Sequence, residues 1–407
     1  MQSKGVLHDG RMAILAVNAG SSSLKFSLHP RRGSRVLEYV LSGRVEGLEP
    51  GGAPTLLWSW QGRKQKQTLP ASERPFDTAL QHLHDLLSTL PDAPALQAVA
   101  HRVVHGGTAF RESVLVTPEV LDALTALQPL APLHQPHNVQ GLRVFQATFP
   151  ALPQVACFDT GFHASMPAVE YRYALPTAML DEGLRRYGFH GLSYRYLMSQ
   201  LQAHSPRAEG RVLMAHLGNG ASLCAALQGR SVASTMGFSA LDGLVMGTRC
   251  GALDPGVLLY LMARGWTAER LQALLYSQSG LLGISGVSAD MRRLRADGSE
   301  GAALAISMFT HRVVREAGAM AACLQGLDVL AFSGGIGEHD AALRADVAAR
   351  LGWMGVRLDD AANKLATGGT LTPIHAPGST VEVWVVPTDE GRVAAGDAAA
   401  LLAGAGR

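Results

Sequence analysis

Residues 13–28 read AILAVNAGSSSLKFSL, and this stretch decides the fold. Two apolar runs, 13–17 and 26–28, flank a turn of small polar residues, which is the pattern of a β-hairpin. The turn gathers backbone N–H groups and hydroxyls, and Lys25 adds a positive charge. It can hold phosphate oxygens because small residues let the backbone approach closely. An ordinary serine-rich hairpin is the alternative interpretation of this stretch taken alone.

Two further stretches favour the phosphate interpretation. Residues 212–227, VLMAHLGNGASLCAAL, repeat the plan, and aligning Ser23 with Ser222 gives an offset of 222 − 23 = 199 residues. This is nearly half of the 407-residue chain, which predicts two related lobes that each contribute a phosphate hairpin to a shared cleft. Residues 328–338, DVLAFSGGIGE, run from a strand through glycines into a helix. Three glycine-bearing turns after strands predict a nucleotide-binding protein.

Composition excludes several classes of protein. A hydrophobic content of 47% supports large cores, and a formal net charge of +2 argues against a nucleic-acid or membrane-surface partner. No apolar run reaches the roughly 18–20 residues of a membrane helix, and the first eleven residues lack the apolar core of a signal peptide. The four cysteines stand far apart, which predicts reduced thiols and a cytoplasmic location.

Strand and helix patterns alternate along the chain, so the predicted class is α/β with mixed sheets. We expect a strand over 36–45, loops over 46–75 around a short strand at 55–60, a helix over 181–200 broken at 187–193, and helices over 256–275 and 301–325. The first lobe is predicted to comprise residues 1–158, completed by 391–407, and the second to comprise 159–390. The final helix is expected to cross back to the first lobe.

Four polar clusters lie where strands are predicted to end. They are HRVVHGG (101–107), CFDTGFH (157–163), RRYGFHG (185–191) and MGTRCG (246–251). An arginine beside a glycine turn suits a carboxylate or a phosphate, and an acid at the carboxyl end of a strand lies where ligands tend to bind. Salt-bridged or solvated turns are the alternatives. Together with Lys25, these clusters hold the side chains of a phosphoryl-transfer site.

The ordered set of motifs is similar to that of acetate kinases. VNAGSSSLKF, HRVVHGG, CFDTGFH, RRYGFHG, HLGNGAS, MGTRCGALDP, GLLGISGVSADMR, FSGGIGE and TDE follow one another between about residue 13 and residue 400. The resemblance implies the fold of the sugar kinase, Hsp70 and actin superfamily, with two duplicated lobes around an ATP cleft. It also implies reversible phosphorylation of acetate by ATP, with Mg²⁺ or Mn²⁺ as the metal ion. The expected assembly is a homodimer without nucleic-acid or membrane partners.

The resemblance implies a role for each matching residue. It assigns catalysis to Arg102, Asp159, His190 and Arg249, where the arginines bind the acetyl substrate and the histidine contacts the transferring group. It assigns the metal to Asn18 and Glu390, and the acetate methyl pocket to Val104, Leu133 and Phe189, with Ala240 at a position that is often proline. The implied ATP contacts are Ser21, Ser23, Lys25, His216, Leu217, Gly218, Asn219, Gly220, Asp290, Met291, Arg292, Gly335, Ile336, Gly337, Glu338 and His339.

The expected chemistry explains these residue types. A carboxylate acceptor is already ionised at neutral pH, so it needs no general base, and Asp159 is expected to orient magnesium or its waters. The remaining task is to bring an anion to a polyanion, which two arginines, a lysine and Mg²⁺ accomplish electrostatically.

The chain departs from the family pattern at several positions. Leu192 and Tyr194 replace the usual threonine and histidine, Ala233 and Ala252 stand where aspartates are common, and Gly391 replaces a second glutamate after Glu390. We expect these changes to affect the rate more than the reaction.

Three alternatives remain open. A metal-dependent hydrolase is prompted by fifteen histidines and by residues 134–137, although no HExxH pattern exists and Pro136 is expected to break a helix there. A non-catalytic ATP-binding protein should have lost Arg102, Asp159 or His190, and all three are present. Within the kinase interpretation, propionate is the alternative acceptor to acetate.

Overall fold

The computed structural model describes residues 12–405 except Ser21 and Pro50. Ser21, a predicted phosphate-binding residue, therefore lies outside the described residues. The chain divides into two compact units. The first extends to Gly161 and takes up the chain again from Asp389, and the second runs from Phe162 to Thr388.

Among its described residues, the first unit holds a nine-stranded sheet in the order β6-β5-β4-β2-β1-β7-β9-β8, with β3 paired to β2. The strands are β1 (Met12–Ala19), β2 (Ser23–Arg32), β3 (Arg35–Val36), β4 (Leu41–Glu46), β5 (Thr55–Trp60), β6 (Arg63–Thr68), β7 (Ala95–Val103), β8 (Val114–Leu115) and β9 (Gln154–Phe158). Its helices include α1 (Pro75–Thr89), α2 (Pro118–Ala126) and α3 (Gln135–Thr148). The centre of β1 and all of β9 are buried, as apolar strands between layers should be.

The second unit, described throughout residues 162–388, holds a six-stranded sheet in the order β12-β11-β10-β13-β15-β14. Its strands are β10 (Arg211–Leu217), β11 (Ala221–Leu227), β12 (Arg230–Ser234), β13 (Val329–Ser333), β14 (Thr372–Pro373) and β15 (Glu382–Val385). Its helices are α4 (Ala168–Tyr171), α5 (Ala178–Asp181), α6 (Gly191–His204), α7 (Pro255–Ala263), α8 (Ala268–Ser277), α9 (Gly280–Ser285), α10 (Met291–Asp297), α11 (Glu300–Leu324), α12 (Gly334–His339), α13 (Ala341–Arg350) and α14 (Asp360–Leu365). The last helix of the chain, α15 (Glu390–Ala405), belongs to the first unit.

The two sheets share one topology. In each, an antiparallel meander (β1-β2-β4 or β10-β11-β12) is followed by two strands parallel to its first strand (β7 and β9, or β13 and β15). A two-residue strand closes the far edge of each sheet antiparallel to its neighbour. This duplication confirms the α/β fold class and the repeat predicted from the sequence. The last paired residues are Ala19 and Leu24 in the first hairpin but Leu217 and Ala221 in the second, so no single offset aligns both strands.

Two expectations about the first unit are wrong. The predicted strand over 36–45 is interrupted, because β3 ends at Val36 and β4 begins at Leu41. The stretch predicted as loops over 46–75 contains β6 as well as the expected β5. Strand β6 (RKQKQT) is exposed at every residue and pairs along only one edge, so it carries none of the apolar alternation that marks a strand.

Three helix predictions also need correction. Residues 256–275 form two helices, because Gly265 adopts a φ of +83° between α7 and α8. The expected helix over 181–200 is confined to α6, and α5 ends at Asp181. Pro136 lies in the first turn of α3 instead of breaking a helix, since the first turn leaves its backbone N–H positions unpaired in any case. The predicted helix over 301–325 is confirmed as α11.

Residues 12–405, as far as they are described, include no helix with both the length and the apolar composition that crossing a bilayer requires.

Candidate active site

In the first unit, Arg102 and Asp159 meet at the carboxyl edge of two parallel strands. Arg102 pairs with Cys157 in the register of β7 and β9, and Asp159 follows β9 directly. The Arg102 Nε donates to both Asp159 carboxylate oxygens at 3.0 and 3.1 Å, and Nη2 donates to Oδ2 at 2.6 Å. The Asp159 side chain is 2% exposed, whereas that of Arg102 is 21% exposed. Asp159 therefore fixes the guanidinium while leaving part of it accessible.

Glu390 brings a second carboxylate to Arg102. It is the first residue of α15, and its Oε2 lies 3.4 Å from the Arg102 Nε. Burial by itself would lower the pKa of Arg102, but the charges of Asp159 and Glu390 outweigh burial and raise it. Arg102 is consequently a permanent cation at this edge of the sheet.

A cavity of about 160 Å³ opens beside this group. Asn18 and Lys25 are cross-strand neighbours on the β1–β2 hairpin, and they line the cavity with Arg102, Ser27 and Glu390. The first unit thus brings together four of its predicted site residues around one space. Ser23, another predicted phosphate contact, begins β2, and its carbonyl accepts a hydrogen bond from the Gly20 N–H at 2.8 Å.

The oxygen donors of this cavity fit a hard divalent cation. Asn18 and Glu390 offer an amide and a carboxylate, and Mg²⁺ characteristically takes one or two protein oxygens together with substrate phosphates and waters. The part of the chain that the structure describes contains no group of three or more His, Cys, Asp or Glu residues poised to enclose a metal ion. A metal held here would therefore share its coordination with the substrate.

The histidines of HRVVHGG are structural. His101 is buried and its Nε2 hydrogen-bonds Gln154 Oε1 at 2.7 Å, while the Nδ1 of buried His105 accepts from the Gly107 N–H at 2.9 Å. Burial lowers the pKa of each imidazole to about 4, so both are neutral near pH 7. Of the polar side chains in this motif, Arg102 is the one that lines the cavity.

The packing around position 391 explains why glycine occupies it. A Cβ at this position would lie 2.5 Å from Ser27 Oγ and 3.1 Å from His29 Nε2, two atoms that hydrogen-bond one another at 2.9 Å. The serine and histidine occupy the space that a larger residue at position 391 would need. A second glutamate after Glu390 would therefore require the Ser27 and His29 side chains to move.

In the second unit, the predicted nucleotide turn and the arginine loop pack directly together. The Gly247 N–H donates to the Asn219 carbonyl at 2.9 Å, and a Cβ on Gly247 would overlap the Asn219 side chain. The N–H groups of Leu281 and Leu282, at the start of α9, donate to the carbonyls of Met246 and Gly247 at 2.8 and 3.0 Å. The loop that carries Arg249 is therefore held on two sides.

His190 and Arg249 converge on the turn between β10 and β11. A Cβ built on Gly220 would lie 3.4 Å from His190 Nε2 and 3.7 Å from Arg249 Nη1. The imidazole and the guanidinium therefore border the same space. His190 precedes α6 with a φ of +59°, a left-handed conformation that costs a non-glycine residue free energy and is often found at functional sites. Its ring stacks on that of His216 with centroids 4.3 Å apart.

The other predicted nucleotide-binding residues lie at the N-terminus of α10 and within the short helix α12. Asp290 caps α10 by accepting from the Arg292 N–H at 2.9 Å, and the Arg292 guanidinium, with the help of backbone N–H donors, lowers the pKa of Asp290 to about 2. Gly335 to His339 lie within α12, and Glu338 Oε1 accepts from the N–H groups of Gly334 and Thr388 at 2.9 and 3.1 Å. Met291 is buried in α10, and Ile336 and Gly337 belong to α12.

The predicted methyl-pocket residues are divided between the units. Val104 and Leu133 belong to the first unit, where the Val104 N–H donates to Asn138 Oδ1 at 3.0 Å. Phe189 and Ala240 belong to the second unit. The Ala240 carbonyl accepts from Arg249 Nη1 at 3.2 Å, which ties this position to the arginine.

Several residues of the site were not predicted from the sequence. His163 is buried, and its ring bridges Ser231 Oγ at 2.8 Å and the Phe189 carbonyl at 2.9 Å. Ser193 joins His216 Nδ1 to Thr388 Oγ1, at 2.8 Å to each. His163 ends the motif CFDTGFH and Ser193 lies two residues after RRYGFHG, so the motifs pointed to this region. Their hydrogen-bond partners are distant in sequence and could not be predicted.

Comparison with known proteins agrees with these features. The model of the acetokinase family matches residues 13–396. An acetate kinase of Rhodopseudomonas palustris is 47% identical over 382 residues, which cover 93% of this chain and 95% of that protein. Two solved structures are also similar. A propionate kinase from Francisella tularensis has a TM-score of 0.87 at 35% identity, covering 95% of this chain and 98% of its own. The Porphyromonas gingivalis acetate kinase has a TM-score of 0.84 at 37% identity, covering 96% and 100%.

These matches span nearly the whole chain and confirm the family resemblance, the fold class and the enzyme class predicted from the sequence. The chain belongs to the acetokinase family, and the relatives that it resembles include acetate kinases.

Proposed function

We propose that this chain transfers the γ-phosphoryl group of ATP to the carboxylate of acetate, reversibly forming acetyl phosphate and ADP, with Arg102, Asp159, His190 and Arg249 at the reacting groups. The observation that carries the assignment is the Arg102 guanidinium, fixed by Asp159 beside a cavity lined by Lys25, Asn18 and Glu390. An immobilised arginine next to a lysine and oxygen donors suits a carboxylate and a phosphate together.

Arg102 binds the acceptor in this proposal, and Asp159 positions it. The acetate carboxylate is ionised at neutral pH and attacks without losing a proton, so no residue has to act as a general base. The Asp159 oxygens are both engaged by Arg102, which makes orientation of the guanidinium their role in this structure. The charge of Arg102 reduces the repulsion between acetate and the phosphates.

His190 and Arg249 act on the transferring group. Both border the space beside Gly220, in the turn that also offers the predicted phosphate contacts from His216 to Asn219. Donors that are already in place stabilise charge on the equatorial phosphoryl oxygens without reorganising during the reaction. Asp290 to Arg292 and Gly335 to His339, also in the second unit, are the further nucleotide contacts of this proposal.

Asn18 and Glu390 would hold the Mg²⁺ or Mn²⁺ of this reaction. When bound, the ion neutralises phosphate charge and polarises the phosphoryl group. Lys25, beside Asn18 on the hairpin, contributes a further positive charge on the same face. The four free cysteines are in keeping with the cytoplasmic location that forms part of this proposal.

The direct test is acetate-dependent formation of ADP. We expect the purified chain with ATP and Mg²⁺ to release ADP when acetate is added, and to form an acyl phosphate that hydroxylamine traps as the hydroxamate. The control omits acetate. Release of ADP at the same rate without acetate, or release without hydroxamate, would contradict the proposed reaction.

Ala240 is expected to admit a longer acyl chain. Alanine lacks the ring carbons of the proline that is often found here, and the Ala240 carbonyl accepts a hydrogen bond from Arg249, which acts on the transferring group in this proposal. One buried methylene is worth about 0.8 kcal/mol, and pockets discriminate such groups by about 1–3 kcal/mol. We therefore expect kcat/KM for propionate to fall within roughly tenfold of that for acetate.

The Ala240→Pro variant should shift the preference toward acetate by lowering propionate turnover. Acetate turnover of the same variant is the internal control, and butyrate extends the series. An acetate preference above about a hundredfold in the unmodified chain, unchanged by the substitution, would show that position 240 does not set chain length.

Helix α7 supports the homodimer that the family resemblance implies. None of its nine residues is buried, although its sequence PGVLLYLMA is largely apolar. Leu259, Tyr260 and Met262 are 68%, 59% and 57% exposed. A helix that is apolar all round needs a partner, and a second copy of this chain is the partner we propose.

Placing a charge on this helix should separate the protomers. We expect the double variant Leu259→Glu/Met262→Glu to halve the molar mass measured by light scattering, because the partner would have to bury two unpaired carboxylates. The matched control is Leu365→Glu, at another exposed leucine (79%) in α14. A dimer that persists in the double variant, or a monomeric unmodified chain, would contradict this surface.

A further inference from the structure

Two buried side chains, linked by hydrogen bonds, lead to the imidazole of His190. The Tyr194 hydroxyl lies 2.5 Å from Ser222 Oγ, and Ser222 Oγ lies 2.8 Å from His190 Nδ1. Tyr194 and Ser222 are fully buried, the first in α6 and the second in β11. Tyr194 is also one of the positions at which this chain departs from the family pattern.

Tyr194 is the buried outer end of this series of hydrogen bonds. The backbone of His216 also hydrogen-bonds the Tyr194 hydroxyl. Burial raises the pKa of Tyr194 well above its usual value, so the phenol keeps its proton. With that proton donated to Ser222 Oγ, the Ser222 proton is available to His190 Nδ1.

We propose that Tyr194 is a positioning residue that acts through Ser222 to hold neutral His190 with its proton on Nε2. A neutral imidazole has one donor nitrogen and one acceptor nitrogen, and the hydrogen bond at one nitrogen decides which form is present. With Nδ1 accepting from Ser222, Nε2 carries the proton. Nε2 is the nitrogen that borders Gly220 together with Arg249 Nη1, so it presents an N–H donor where the phosphoryl group is proposed to lie.

The relay, that is, the hydrogen-bonded series Tyr194–Ser222–His190, also explains how the imidazole ring of His190 keeps its orientation. His190 stacks on His216 at 4.3 Å, which fixes the plane of the ring but not its rotation within that plane. The bond to Ser222 Oγ selects between the two flipped orientations. Stacking and relay together hold one donor nitrogen toward the turn, which preorganises a donor as electrostatic catalysis requires.

This inference rests on the role proposed for His190, and two readouts separate it from that proposal. The first is the nitrogen spectrum of the imidazoles, recorded on histidine-labelled protein at mildly alkaline pH, with the His190 signals assigned by their loss in His190→Ala. We expect the unmodified chain to show a protonated Nε2 and an unprotonated Nδ1. In Tyr194→Phe, the signals should move toward a mixture of the two tautomers, because Ser222 is then free to accept from Nδ1.

The second readout is a double-mutant cycle in the acetate assay. We expect Tyr194→Phe to lower kcat roughly 5- to 20-fold with KM for both substrates nearly unchanged, and His190→Ala to lower it about 100-fold or more. Ser222→Ala should cost at least as much as Tyr194→Phe. The double variant Tyr194→Phe/Ser222→Ala should be no slower than Ser222→Ala alone, because the phenol acts only through the serine.

The matched control is Tyr187→Phe. This variant also removes a buried, hydrogen-bonded phenol in the second unit, one that donates to the Gly183 carbonyl at 2.9 Å, and it should leave the His190 signals unchanged. Additive losses in the double variant, or a His190 spectrum that Tyr194→Phe does not alter, would overturn the relay. If the unmodified chain shows no acetate-dependent ADP release, the proposed function fails while the nitrogen spectrum still tests the relay.

Discussion

Replacing Arg102 with alanine is expected to lower kcat/KM for acetate by roughly 30- to 5,000-fold, equivalent to about 2–5 kcal/mol, while ATP binding changes little. Two effects combine. The acceptor carboxylate loses its cation, and Asp159, whose side chain is 2% exposed, is left as a buried charge beside Glu390. Steady-state kinetics with acetate, together with calorimetric titration of the nucleotide, measure the two quantities.

Arg102→Lys separates charge from geometry. A lysine keeps the positive charge but cannot donate to both Asp159 oxygens in the fixed geometry of the guanidinium, so we expect it to recover only part of the lost activity. An acetate kcat/KM that is unchanged in Arg102→Ala would refute the assignment of this arginine. A parallel loss of ATP affinity would instead indicate that the variant disturbs the fold.

The largest expected effect on stability is at Arg344. This arginine of α13 is completely buried and donates to the carbonyls of Gly337, Glu338, Asn363 and Ala366 and to Asn363 Oδ1, at 2.8–2.9 Å. Burial lowers the pKa of its guanidinium, and Asp340 opposes that effect. Arg344→Met should lower the free energy of unfolding by at least about 4 kcal/mol, because it leaves several buried carbonyls without a donor.

Thermal unfolding measures this directly. For a unit of this size, about 4 kcal/mol corresponds to a melting temperature lower by roughly 8–16 °C. Arg350→Met is the matched control, since Arg350 ends the same helix but is exposed beside His311, and we expect a change within about 0.5 kcal/mol. Equal melting temperatures for the two variants would contradict the role of Arg344. Because Gly337 and Glu338 belong to α12, ATP should also protect Arg344→Met less than the unmodified chain.

The parts of the fold that follow from local patterns were predictable. Apolar runs on either side of small polar residues predict the two glycine-bearing hairpins. The spacing between the hairpins predicted the duplication that the shared sheet topology confirms. Arg102 and Asp159 were each predicted at the end of a strand and assigned to one phosphoryl-transfer site, and the structure pairs them. The roles that follow from this contact remain proposals.

Features that depend on distant residues were not predictable. Strand β6 has no apolar face, and only its hydrogen bonds to β5 make it a strand. Arg344 looks like a surface arginine in the sequence LRADVAAR, because its acceptors lie up to 22 residues along the chain. Tyr194 was visible only as a departure from a pattern, since the contact that explains it, with Ser222, spans 28 residues.

The packing at Gly391 has a consequence for the evolution of this site. Ser27 and His29 fill the space that a glutamate at position 391 would enter. Burial lowers the pKa of His29, so its ring is neutral and hydrogen-bonded to Ser27. Restoring the glutamate alone would collide with both side chains. Positions 27, 29 and 391 should therefore show epistasis: a residue larger than glycine at 391 should be tolerated only with different side chains at 27 and 29, and the three positions should covary among the relatives of this chain.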